Sequence, residues 1–94
     1  MKIKSITESK QKGKKYVIKF SNPTKTVHFG SEGSSTYIDH KDKTKRDNYM
    51  ARHGVNEDWS DPMSAGALSL YLLWGPYTTL DENINFYKEM FLID

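Results

Sequence analysis

Apolar and polar positions alternate through the first third of the chain and fall at helical spacing through the rest. Ile3 and Ile6 sit among lysines in residues 1–7, a weak strand pattern, whereas Tyr16, Ile18 and Phe20 share one face of a clear strand over residues 16–20. Val27 and Phe29 share a face of a further strand over residues 25–29, with Thr26 and His28 on the other face. Turn chemistry separates these runs. Gly13 lies in the polar stretch 9–15, Asn22-Pro23 follows the second strand, and residues 30–35 form a loop rich in glycine and serine. Thr36-Tyr37-Ile38 reads as a short strand or as the lead into a helix. The pattern predicts an antiparallel meander of three or four strands over residues 1–38.

The remaining residues, 39–94, read as three helices. Residues 39–53 are mostly charged, leaving Tyr49, Met50 and His53 to dock, so this helix is solvated along its length, with Asp39 as N-cap and Gly54 as a left-handed C-terminal glycine. A connector over residues 56–60 brings Trp59 toward the core. The longest apolar run follows: Leu70 to Trp74 are consecutive apolar or aromatic residues, which no exposed face of a soluble domain carries. Asp61 as N-cap, Pro62 at the first helical position, and the stop signal Gly75-Pro76, glycine accepting positive φ, predict a helix over residues 62–74 buried nearly all round. Ser64, Ala65, Gly66 and Ala67 make its first turns thin, so another element can approach closely. Thr79 and Glu82 form a capping box, and Leu80, Ile84, Tyr87 and Phe91 fall on one stripe, widened by Phe86 and Met90, of a helix over residues 80–92. The expected fold is α+β: a small antiparallel meander with the 62–74 and 80–92 helices over one sheet face and the 39–53 helix at its edge.

Composition narrows the class. Ninety-four residues make one domain, 1–94, and at that size the core is small and aromatic-heavy. Without cysteine there is neither a disulfide nor a thiolate metal site, which suits a reducing compartment. No N-terminal apolar segment resembles a signal peptide, and no apolar run reaches the roughly 18 residues that span a bilayer, so a soluble protein made in the cytosol, with no membrane insertion, is expected. The net charge of +2 conceals an asymmetry: residues 1–53 hold 13 Lys or Arg against 5 Asp or Glu, whereas residues 54–94 hold Lys88 alone against 7 acids. Either the two halves attract each other within the fold, or the surface is two-faced, which suits a nucleic-acid contact or head-to-tail assembly.

Candidate chemistry is sparse. His28, His40 and His53 lack the spacing of a zinc site, and Gly30-Ser31-Glu32-Gly33 lacks the Gly-Lys-Ser/Thr ending of a phosphate-binding loop. Asp58 and Asp61 flank Trp59, but they read as groups at the start of the central helix, one capping it and one near its positive end. No hydroxyl sits in a pattern that activates a nucleophile, so no catalytic residue, cofactor, metal or small-molecule substrate is expected. Two features stand out. Lys12, Lys14, Lys15, Lys41, Lys45, Arg46 and Arg52 are candidate contacts to nucleic acid or another anion. Tyr16, Phe20, Phe29 and Tyr37 interleave with this charge as in sheets that bind single strands, though their alternation toward one face equally makes them core. The second half is also rich in aromatics, and Trp59, Tyr77, Phe86 and Ile93 are candidate protein-interaction residues.

Several segments together resemble an uncharacterised family of short proteins from large double-stranded DNA viruses of the chlorella-virus and mimivirus kind. They are His28-Phe29-Gly30, Asp39-His40-Lys41-Asp42-Lys43, Arg46, Tyr49 to Arg52-His53, Asn56-Glu57-Asp58-Trp59, Asp61-Pro62-Met63-Ser64-Ala65-Gly66-Ala67 and Leu72-Leu73-Trp74. The resemblance implies origin more than activity: such viruses build large particles with many small accessory shell proteins and also package basic DNA-associated proteins, and it does not choose between the two roles. The first expectation is a non-enzymatic structural or interaction protein, a virion-associated minor capsid component whose partners are other viral proteins or further copies of itself. It implies residence in the host cytoplasm or nucleus and then in the virion. The same resemblance also accommodates a basic protein that binds viral or host DNA or RNA.

Overall fold

Three strands, β1 (Lys2–Glu8), β2 (Lys14–Ser21) and β3 (Lys25–Ser31), form an antiparallel sheet in the order β1-β2-β3; the computed structural model describes residues 1–54 and 59–94. The register matches apolar to apolar: Ile18 faces Ile6 on one side and Val27 on the other, and Tyr16 faces Phe29. Ile3 and Ile6 are three residues apart and would ordinarily point to opposite faces. The pairing shifts between Ile3 and Ser5, so that Ile3 faces Phe20 and Ile6 faces Ile18. This irregularity at Lys4 puts both isoleucines on the face that carries Phe20 and Ile18. The meander therefore has three strands. In the fourth position, along the outer edge of β1, lies Asp94, whose N–H donates to Met1 O and whose carbonyl accepts from Ile3 N, each at 3.2 Å.

The predicted 39–53 helix is two helices, α1 (Tyr37–His40) and α2 (Lys43–His53). Thr36 is the N-cap of α1, and Asp39 is its reciprocal capping partner rather than the cap itself. Lys41 turns left-handed at φ 57°, and Asp42 starts α2 by accepting from Thr44 N and Lys45 N. Gly54 ends α2 at φ −63° with no left-handed turn. A Cβ on Gly54 would lie 3.2 Å from the Trp59 ring and 2.8 Å from Met50 O, so the glycine is needed for close approach.

The central run starts later than the Asp61-Pro62 signal. Asp61 Oδ1 accepts from Met63 N, closing a local turn, and Ser64 caps α3 (Ala65–Leu68) by accepting from Ala67 N. The helix then widens into a π segment, Ser69–Leu73, where Trp74 N reaches Ser69 O as well as Leu70 O. Leu70, Leu72 and Leu73 are buried there, as an apolar run without a polar side requires. Gly75 does not take positive φ; a Cβ on it would meet Tyr71 O at 2.3 Å and Asn83 Oδ1 at 2.6 Å.

The last helix, α4 (Leu80–Phe91), is capped by Thr79, which accepts from Glu82 N and donates to its carboxylate. Leu92 lies beyond its end, at φ 54°. Tyr87 is fully buried and its hydroxyl donates to Pro62 O, while Leu80, Ile84 and Phe91 flank the core half-buried. The central segment packs beside β3, and α4 packs mainly on the π segment, so the two helices are layered outward rather than lying side by side on the sheet. Ile18, Phe20, Phe29, Leu68, Leu72 and Tyr87 form the heart of the core. The predicted connector over residues 56–60 falls largely outside the described residues, as does Asp58.

Candidate nucleic-acid interface

Lys45, Asn48, Tyr49 and Arg52 follow helical spacing on α2, so they lie along one face of it. That face forms one wall of a cleft of about 940 Å³. The opposite wall is Lys14 at the start of β2, Gly30 and Ser31 at the end of β3, and Ser34, Ser35 and Thr36 leading into α1. Leu73 and Trp74 contribute apolar surface, and Ala65, Gly66 and Ser69 line the cleft from the central segment, whose small residues leave the space open.

A column of rings holds α2 in place. Tyr49 lies flat on Trp74 with centroids 4.2 Å apart and planes 3° from parallel, and His53 stacks on Tyr49, also at 4.2 Å. His40 meets Trp74 edge-on at 5.3 Å. His40 Nδ1 accepts from Asp42 N at 2.9 Å, so the neutral ring carries its proton on Nε2, which is buried without a hydrogen-bond partner.

The structure divides the predicted cationic contacts into three groups. Lys14, Lys45 and Arg52 come together in the cleft from two walls. Lys15 and Arg46 are engaged within the fold. Lys15 Nζ donates to Ser34 O at 2.7 Å and pairs with Asp39 Oδ2 at 3.0 Å, the one ion pair among the described residues. Burial of Asp39 opposes its ionisation, but the Thr36 backbone N–H, the Lys15 ammonium and the Thr36 hydroxyl together hold its carboxyl below the usual range. Arg46 Nε donates to the carbonyls of Trp74 and Gly75, and its guanidinium lies 5.6 Å from the centre of the Tyr37 ring. Lys12 and Lys41 are exposed outside the cleft. Glu32 in the glycine loop is tied to Gly13 N at 2.8 Å, and no Asp or Glu among the described residues lines the cleft.

Phe20 and Phe29 are fully buried and Tyr16 stacks on Phe29, so these aromatics belong to the core and not to an open binding sheet. Of the predicted interaction residues, Ile93 is core. Trp59 is half-buried and its carbonyl accepts from Tyr71 OH; Phe86 is half-buried against Tyr77, and Tyr77 is exposed. Met90, expected to widen the apolar stripe of the last helix, is exposed, and so is Leu92 beyond the end of that helix. Asn48 was also missed, although its spacing from Lys45 and Arg52 was visible in the sequence. The serines of the opposite wall carried no comparable signal, because they reach the cleft through tertiary folding.

Fold and cleft define a small α+β protein with a cationic cleft between a helix and the end of its sheet. Residues 4–53 match DUF5754, a family of unknown function, and the chain belongs to that family. Lys14, Lys45 and Arg52 all fall within the matched segment. No curated protein and no solved structure matches the chain. Among the described residues no helix is long and apolar enough to cross a membrane, and no group of side chains could hold a metal ion.

Proposed function

We propose that this protein binds nucleic acid through the phosphate backbone, in the cleft between α2 and residues 30–36. The observation that carries the reading is the convergence of Lys14, Lys45 and Arg52 from two walls on a cleft with no described carboxylate in its lining. Cations in a concave, partly apolar setting concentrate field there and attract a polyanion. Phosphate contacts of this kind position a strand without reading its bases. In the setting the viral resemblance implies, the ligand is viral or host DNA or RNA. Gel-shift titration across salt tests the reading: log affinity should fall linearly with log salt. Charge reversal at Lys45 and Arg52 together should weaken binding to all sequences alike. Absence of any shift at low salt, on duplex and single strand both, removes the proposal.

A second reading, a virion-associated interaction protein, draws support from the charge asymmetry of the chain, 13 Lys or Arg against 5 acids in residues 1–53 and Lys88 against 7 acids in residues 54–94. Such opposed charge suits head-to-tail contact between copies or with other virion proteins. Such contacts weaken as salt rises. Analytical ultracentrifugation at low and high salt tests this reading, and a strict monomer in both removes it.

A further inference from the structure

We infer that the chain associates with a second copy of itself by seating Leu92 of one molecule in an apolar pocket between α2 and α4 of another, with Asp94 beside it against Arg46. This contact rests on the second reading above and specifies which surfaces of two copies meet.

The pocket is a hollow of about 120 Å³, separate from the cationic cleft. Met50 of α2 and Phe86 of α4 line it, together with Leu70, Tyr71 and Trp74 of the central segment. Leu70 and Trp74 are buried and the other three are half-buried, so the fold itself holds these walls in place. An apolar cavity of roughly 150 Å³ takes a benzene-sized group, so the volume here suits about one apolar side chain. Arg46 is the one charged residue among those lining it. Its Nε is engaged by the Trp74 and Gly75 carbonyls, but its terminal nitrogens have no hydrogen-bond partner among the described residues. Those nitrogens are donors suited to a carboxylate.

Leu92 supplies the side chain. It is the most exposed of the large apolar residues described, and it holds φ at 54°. A single apolar residue on a surface is ordinary. A leucine in the left-handed region, where glycine usually ends a helix, is not, and such outliers gather at binding surfaces. The segment that carries it is pinned on both sides. Ile93 is buried and its N–H donates to Lys88 O at 2.8 Å, while Asp94 is bonded through its backbone to Met1 and Ile3 on the edge of β1. Leu92 and Asp94 are exposed on either side of buried Ile93, so the surface presents an apolar group and a carboxylate two residues apart. That pair matches a pocket of apolar walls and one arginine. Leu92 does not fill the pocket of its own molecule, since it is exposed and Phe86 lies six residues back on the same helix.

Charge selects a second copy as the occupant. The α2 wall belongs to the basic half of the chain, and Leu92 to the acidic half, where Lys88 is the only cation and Glu89 and Asp94 are exposed close by. The two surfaces therefore attract across molecules. Knob and pocket are different patches, so the contact is heterologous.

The test is analytical ultracentrifugation of the full chain and its variants at about 50 and 500 mM salt. Wild type should associate as its concentration rises. Leu92→Ala should weaken association about tenfold or more, because the seated side chain is lost, and should melt like wild type. Asp94→Lys should weaken it roughly two- to fivefold and remove much of its salt dependence. The chain has no cysteine, so Leu92→Cys and Pro76→Cys proteins mixed with oxidised glutathione should form a mixed disulfide, Pro76 being at the pocket. Leu92→Cys with Lys25→Cys, on the sheet, should not. Association that Leu92→Ala leaves intact would keep the second reading and overturn this inference. A Leu92→Ala protein that melts well below wild type would show that the leucine serves its own fold, and would overturn it too. A monomer whose tryptophan fluorescence responds to an added foreign peptide carrying leucine and aspartate would give the pocket to another partner and overturn the second copy. A monomer at every concentration in both salts would remove the inference and the second reading together.

Discussion

Arg46 Nε donates to the carbonyl of Trp74 at 2.9 Å, and the same nitrogen reaches Gly75 O at 3.1 Å. These bonds fasten α2, from the basic half of the chain, to the end of the central apolar segment. Tyr49, three residues on in the same helix, stacks on the ring of that same Trp74. Arg46 therefore acts on the fold, whereas Arg52, six residues on, faces the cleft. Hydrogen bonds from a charged donor are worth about 1.5–3 kcal/mol, so Arg46→Ala should cost about that much in urea denaturation. Arg46→Lys should recover only part, because an ammonium on a flexible stem lacks the planar fork. Lys45→Ala, at an exposed position, should stay within about 0.5 kcal/mol of wild type. Equal destabilisation by Arg46→Ala and Lys45→Ala would refute this division of roles.

Asn83 is the polar residue at the centre of the second half. Fully buried, it donates through Nδ2 to Leu72 O at 3.1 Å and Tyr77 O at 3.0 Å, and accepts from Tyr77 N through Oδ1 at 3.0 Å. It thereby satisfies backbone groups freed where the π segment ends and the chain turns into α4. Each buried group left without a partner costs about 1–3 kcal/mol, so Asn83→Ala should lower stability by several kcal/mol despite the small volume change. Asn83→Asp should be as bad or worse at neutral pH, because it places a carboxylate oxygen where two carbonyls need a donor. Gly75→Ala should be severe for a linked reason, since the new Cβ would fall 2.6 Å from Asn83 Oδ1 as well as against Tyr71 O. Thermal melts of the three variants test this, and a Gly75→Ala protein that melts like wild type would show that the chain can shift there at little cost.

Tyr87 makes stability pH-dependent at the alkaline end. Burial, and secondarily the negative charge of Asp61, push its phenol well above the ordinary value of 10.0. A raised folded-state pKa means that the contribution is complete below the unfolded value and is lost as pH rises through the folded one. Stability should thus decline above about pH 10, by at most about 1.4 kcal/mol per pH unit for this one proton. Tyr71 is raised by burial as well and adds to the same limb. Tyr87→Phe should cost about 1 kcal/mol at neutral pH by removing the donor to Pro62 O, and should flatten the alkaline limb relative to wild type. Parallel alkaline slopes in the two proteins would show that Tyr87 does not titrate with unfolding.

How much of this was legible in the chain depended on the range of the interaction. The three strands and their inward faces were readable because period-two alternation is local, and even the irregularity at Lys4 is foreshadowed by the odd spacing of Ile3 and Ile6. The break between α1 and α2 was also written locally, in Asp42 as a second capping residue, but Asp39 offered a competing start. Asn83 could not have been found that way, since it sits beside an apolar stripe and its burial depends on carbonyls 6 and 11 residues away. Gly75 carried a true signal with a different cause, crowding in place of positive φ. Half of the cleft was visible as the Lys45–Asn48–Arg52 spacing. The other half was not, because Lys14 reaches the cleft through the pairing of β2 with β3, opposite Ser31, and Ser34 and Ser35 reach it through the β3–α1 turn.

Two leucines set the limits of what burial decides here. Leu70 is 3% exposed inside the π segment, between the sheet and α4, and Leu92 is 89% exposed just past the end of α4. Leu70→Ala removes buried apolar volume that close-packed neighbours cannot refill, so it should cost about 2–5 kcal/mol. Leu92→Ala removes almost no buried surface and should be near neutral. Leu92 also holds φ at 54°, a left-handed conformation that costs a side-chain-bearing residue about 1–2 kcal/mol and glycine almost nothing. Against this stands the larger entropy that glycine loses on folding, about 0.5–1 kcal/mol. The first term exceeds the second, so Leu92→Gly should leave stability unchanged or raise it by up to about 1 kcal/mol. Urea midpoints for the three variants, with the denaturant slope held constant, measure all of this at once. A Leu70→Ala protein whose urea midpoint equals that of wild type would show that the π segment is not core, and a Leu92→Gly protein that is clearly weaker would show that the leucine makes contacts its exposure denies.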